Sequence, residues 1–169
     1  MKKQRGYIGG FTIANLTWQP FASGALIGTP IDVEGFLPDV RSILLLLEQA
    51  GADSDMTVNI RLGHSAAIES SGYVFSVGGT IGNAMGSSAF GIAVIVPNVN
   101  NANIRLMLEK SPDNPLTWIA SSFTNNADFG NNQTGNGFKT LAGPLTRIQI
   151  RSVVGLFNAG TYRVWTRKN

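Results

Sequence analysis

The sequence predicts an all-β domain, a β-sandwich or jelly roll with at most one short helix. Several segments alternate apolar and polar residues with a period of two, the mark of a half-buried strand. Turn-forming clusters separate them, including Gly78-Gly79, Pro97-Asn98, Pro112-Asp113-Asn114-Pro115 and Asn158-Ala159-Gly160. Many short strands with regular turns read as a sandwich or jelly roll. The 20 glycines in 169 residues also favour turns over long helices, because glycine loses the most backbone freedom on becoming helical.

Met56 to Gly63 places Val58, Ile60 and Leu62 on one face and Thr57, Asn59 and Arg61 on the other. Asn103 to Glu109 repeats the pattern, with Ile104, Leu106 and Leu108 inward and Arg105, Met107 and Glu109 outward. A strand over 145–152 carries Ile148 and Ile150 between Arg147, Gln149 and Arg151. The last, over 160–167, sets Tyr162 and Val164 against Arg163, Trp165 and Arg167. Tyr73 to Val77, Phe90 to Val96 and Thr117 to Phe123 are rich in β-branched and aromatic residues, which suit strands.

Pro38 to Ala50 is ambiguous. Val40, Ile43, Leu44 and Leu47 have helical spacing, with Asp39 as a cap and Gly51 as a stop. Ile43 to Leu47 is also a continuous apolar run suited to a strand buried on both faces, and periodicity cannot separate the two readings in so short a run. Strand is preferred over 39–50, with Gly51 to Asp55 as a hairpin loop leading into Met56.

Residues 1–169 read as one domain with two appendages. A basic arm, 1–6, holds Lys2, Lys3 and Arg5; an Asn/Gly-rich stretch, 124–143, reads as a long loop holding Phe129 and Phe138. Loops of that length are usually functional or disordered. Its phenylalanines either meet a partner or fold back on the body, and both readings stand. Lys2, Lys3, Arg5, Phe129 and Phe138 are the candidate partner contacts.

Charged residues make up 14% of the chain, against about 25% in an ordinary soluble domain. Such a surface resists self-association weakly. Net charge is +3, with the basic residues clustered at the chain ends rather than on one face, so no nucleic-acid partner is expected. No apolar run reaches the roughly 18 residues of a membrane span. No membrane partner is expected, and Gly6 to Trp18 lacks the continuous apolar core of a signal peptide. With no cysteines, a disulfide-stapled mini-protein and thiolate chemistry are excluded. The single histidine, His64, adjoins Ser65, but strand neighbours point to opposite faces, so the two cannot form a base–nucleophile pair. Asp53 and Asp55 share a turn without the remaining ligands of a calcium loop. Gly78 to Gly82 lacks the lysine and helix of a phosphate loop. No catalytic residue, metal site or cofactor is expected, and the protein is expected not to be an enzyme.

Ile31-Asp32-Val33-Glu34-Gly35-Phe36, followed by the Ile43 to Leu47 run, a Gly/Asp turn and Met56 to Ser65, resembles small structural proteins of tailed bacteriophages, in which an I-D-x-x-G-[FY] motif leads into a first hairpin. Leu106 to Trp118 is similar to their strand–S-x-D-x-x-x-T-W–strand unit, and Gly160 to Trp165 to their closing strand. The chain departs from the pattern in placing Tyr73 to Val96 between these units and in its Asn/Gly-rich stretch. The resemblance implies a virion structural protein: a capsid cement or decoration protein, or a related head or tail component. It would be made in the host cytoplasm and assemble with other virion proteins as a homo-oligomer, by analogy a trimer. The alternative is a glycan-binding module of a phage tail or fibre, with Trp165, Trp118, Phe129 or Tyr162 stacking on sugar.

Overall fold

The computed structural model of the chain describes residues 17–79, 84–86, 88–95, 102–126 and 131–168. Among these the structure is all-β, with no helix. In chain order the strands are β1 (Gln19–Ala25), β2 (Ile31–Glu34), β3 (Val40–Ala52), β4 (Met56–Gly63), β5 (Tyr73–Gly79), β6 (Ala84–Gly86), β7 (Phe90–Ile95), β8 (Ala102–Lys110), β9 (Thr117–Asn126), β10 (Asn131–Thr140), β11 (Arg147–Ser152) and β12 (Phe157–Lys168). They form a wide antiparallel sheet ordered β1-β12-β3-β8-β9-β10-β5-β6 and a narrow one ordered β2-β11-β4-β7.

Without β5, β6, β9 and β10, what remains is β1-β12-β3-β8 facing β2-β11-β4-β7. In this remainder the first strand pairs with the last, the second with the next to last, the third with the sixth, and the fourth with the fifth. That wiring is a jelly roll. The other four strands extend the wide sheet beyond β8.

The alternation read from sequence is the alternation of burial. Val58, Ile60, Leu62, Ile104, Leu106, Leu108, Ile148, Ile150 and Val164 all lie in one core between the sheets. Phe90 on β7 anchors the extension: Tyr73 meets it edge-on at 5.0 Å between centroids and Phe75 at 5.4 Å. The Thr124 hydroxyl donates to the Ile92 carbonyl at 2.8 Å, so β9 too is tied to the narrow sheet.

Of residues 39–50, all from Val40 on are strand, as preferred, but not one buried on both faces. Ile43, Leu45 and Leu47 enter the core while Leu44 and Leu46 stay half-exposed on the outer face, because β3 lies in a sheet covered on one side only. Gly51 to Asp55 is not a hairpin loop. β3 belongs to the wide sheet and β4 to the narrow one, so the turn crosses between layers. The strand kinks before it: Gln49 has a positive φ of 53°, and the register with β12 shifts between Ala159 and Thr161. This is a bulge, the usual device for bending a strand out of its sheet.

The expected long loop over 124–143 is largely strand. β9 runs to Asn126, and β10 pairs along its whole length with β9 and along Gln133 to Lys139 with β5. The cause is glycine at Gly135 and Gly137. A Cβ on Gly135 would lie 2.5 Å from the Phe75 ring, and one on Gly137 only 2.3 Å from the Val74 carbonyl oxygen. Only glycine lets the aromatic ring lie against this strand. The basic arm 1–6 falls outside the described residues.

Candidate binding surface

The titratable groups that do gather lie beside β10. The Glu69 carboxylate pairs with Lys139, accepts the Ala142 N–H at 2.7 Å and lies 3.6 Å from His64 Nε2. Burial pushes the Glu69 carboxyl up, but the bonds from Lys139 and Ala142 outweigh it and hold the group below its ordinary value. The Tyr73 hydroxyl accepts from the Leu62 N–H at 2.7 Å and donates to the Glu69 carbonyl at 3.0 Å; burial pushes it up to about 12. His64 Nδ1 accepts the Ala66 N–H at 3.3 Å. The cluster clasps residues 64–72 to β10 and the turn after it. Among the described residues no three His, Cys, Asp or Glu side chains converge on a metal position. Asp53 is occupied, its Oδ1 accepting the Leu156 N–H at 2.8 Å.

The two outer faces differ in character. The narrow sheet presents Arg61, Arg147, Arg151, Gln149, Asp32 and Glu34, with Arg147 paired to Glu34 at 3.1 Å. The wide sheet presents apolar side chains. Ile119, Phe138 and Val74 are direct cross-strand neighbours on β9, β10 and β5. With Phe123, four residues along β9 from Ile119 and separated from it by Ser121, each is between 44% and 49% exposed. A second row joins Trp165, Leu44 and Met107 across β12, β3 and β8. Direct cross-strand side chains stand about 5 Å apart and diagonal ones about 7–8 Å; Met107 is opposite Ser121, diagonal to both Ile119 and Phe123, and through it the rows meet.

Charge on this face is nearly balanced. Arg163 pairs with Glu48 at 3.1 Å. Arg167 reaches Glu109 at 3.5 Å and the Ser42 hydroxyl at 3.0 Å, with its guanidinium 5.3 Å from the Trp18 ring. Arg105 stands between Leu46 and Phe123 in register, is exposed, and has no hydrogen-bond or ion-pair partner among the described residues.

A second apolar region crowns one end of the molecule. The β1–β2, β3–β4 and β11–β12 connections are knitted together there: Gly28 N–H donates to Phe157 O at 2.8 Å, Ser152 N–H to Thr29 Oγ1 at 3.0 Å and Asp53 N–H to Leu156 O at 3.2 Å. Ile27 and Val153 on these loops are 72% and 70% exposed, and Val154 and Leu156 are exposed beside them. Val94 and Asp55 border the Val153–Val154 turn in a shallow depression.

Of the candidate contacts read from sequence, Phe138 lies on the wide face and does not fold back on the body. Lys2, Lys3, Arg5 and Phe129 lie outside the described residues. Among the aromatics considered for sugar stacking, Trp118 is 1% exposed and Tyr162 packs against the core. Among the described ones, Trp165 lines an open groove, with Pro20 and Arg163. Sequence reasoning missed Phe123, Ile119 and Val74 as a group; the outward phase of β9 was the available signal. A scan against protein-family models gives no match for the chain, and a search of curated proteins gives none either.

Proposed function

We propose that the protein is a structural component of a tailed-bacteriophage virion, a cement or decoration protein or a related head or tail part, acting through protein–protein assembly. The observation that carries this reading is the row Ile119–Phe138–Val74, adjacent exposed apolar side chains on an open sheet face, with Phe123 exposed further along β9. Exposed apolar patches of connected residues mark surfaces meant to be covered. The low charge of the chain and its sequence resemblance to phage structural proteins support the same reading. A jelly roll supports it less, because that architecture serves capsid and lectin domains alike. The test is quantitative mass spectrometry and electron microscopy of purified particles from the phage that encodes the chain. Many copies at fixed lattice positions are expected; absence from the particle overturns the proposal.

A second reading, a glycan-binding module, rests on Trp165 in its groove with Pro20 and Arg163. Retention of the purified chain on host surface polysaccharide, lost on Trp165→Ala, would favour it.

A further inference from the structure

The described part of the chain holds one unpaired acid and one unpaired cation that each lie beside exposed or partly exposed apolar side chains. Asp32, Glu34, Asp39, Glu48, Asp53, Glu69 and Glu109 all have partners. Of the remaining two described acids, Asp113 lies on the polar turn of Ser111 to Pro115. Asp55 borders Val94, Val153 and Val154. Among the cations, Arg105 and Arg151 lack a hydrogen-bond or ion-pair partner. Arg151 lies on the polar narrow face near Arg61, whereas Arg105 stands between Leu46 and Phe123.

We infer that copies of this chain associate end to face: the Val153–Val154 turn of one copy seats on the Leu46–Phe123 strip of the next, and Asp55 of the first meets Arg105 of the second. The inference rests on the assembly reading above and gives it a surface and an occupant. Charge selects this pairing. Two wide faces brought together would bring two unpaired arginines with no free acid among the described residues of either face. Two loop ends would bring two unpaired aspartates. Only the mixed contact joins opposite charges while covering apolar surface on both sides, and complementarity of that kind fixes which patches meet. Arginine is also among the residue types enriched at the energetic centres of interfaces. Because the two patches differ, the contact is heterologous and propagates, closing into a ring when the rotation permits.

The test is charge reversal followed by sedimentation velocity on the full chain. Arg105→Glu and Asp55→Arg each alter an exposed side chain, so circular dichroism should match the wild type. Each alone is expected to weaken association at least ten-fold. The double variant, Arg105→Glu with Asp55→Arg, is expected to recover most of it. Wild-type oligomers indifferent to both single reversals, or a double variant no tighter than either single one, overturn the inference while leaving the assembly reading in place. A wild-type chain that is monomeric both in solution and in its particle overturns the inference alone; absence of the chain from the particle overturns the assembly reading.

Discussion

Gly160 has a φ of 104°, and a Cβ there would stand 2.7 Å from the backbone oxygens of both Glu48 and Gln49. Neither oxygen can retreat without breaking the bulge that bends β3 toward β4. Gly160→Ala is therefore expected to lower stability by about 1–3 kcal/mol, the usual cost of a strained backbone, read as a lower urea midpoint. The Glu69–Lys139 pair makes a second residue-scale prediction. Glu69 has a folded-state pKa held below its ordinary 4.5. A depressed acid stabilises the fold fully above its unfolded value, and the stabilisation is lost as pH falls through the lowered one. Glu69→Gln leaves the Lys139 ammonium buried without a counter-charge, at a cost of about 3 kcal/mol at neutral pH. It should also flatten the acid limb of the stability profile below pH 4.5, measured by denaturant titration at several pH values. A wild-type acid limb unchanged in the variant would show that other carboxylates govern it.

At the scale of elements, the run Ile43 to Leu47 shows what a sequence can and cannot specify. Its strand character was legible, but which leucines face the core depends on the sheet having one covered side, and that is a property of distant strands. Leu45→Ala should cost about 2–5 kcal/mol, as cavities in packed cores do, and Leu46→Ala clearly less, since Leu46 is half-exposed on the outer face. Equal losses in thermal unfolding would contradict the burial pattern. β10 was illegible for the opposite reason. Its asparagines and glycines resemble a loop locally, and its pairing depends on the Phe75 ring lying against Gly135 and Gly137 from a strand some 60 residues earlier in the chain. The same non-locality hid most of the surface patch. Phe138 stood out as an aromatic in a polar stretch, but its neighbours Ile119 and Val74 come from two other strands and become adjacent only through register. Phe123→Ser and Phe138→Ser should therefore leave the unfolding midpoint nearly unchanged, as surface substitutions do, while weakening self-association in sedimentation.

At the scale of the whole molecule, the question is how a sandwich with an apolar outer face and open sheet edges stays ordered in company. The wide sheet ends in β1, with Pro20 removing one donor from its ladder, and in the three-residue β6. A proline and a very short strand are both known means of blunting an edge. Edge-to-edge pairing of the wide sheet is thus discouraged, which leaves its apolar face and the loop crown as the surfaces for the proposed assembly. Those two surfaces lie on different parts of the molecule, so a chain joining them has one donor patch and one acceptor patch per copy, which a closed ring satisfies completely and an open filament leaves unsatisfied at both ends. We expect a closed trimer, the state implied by the resemblance to phage structural proteins. Light scattering on the purified chain should then give three times its 18.0 kDa, independent of concentration above the association midpoint. Mass that keeps growing with concentration would mean that the contact does not close, and that the chain forms filaments instead.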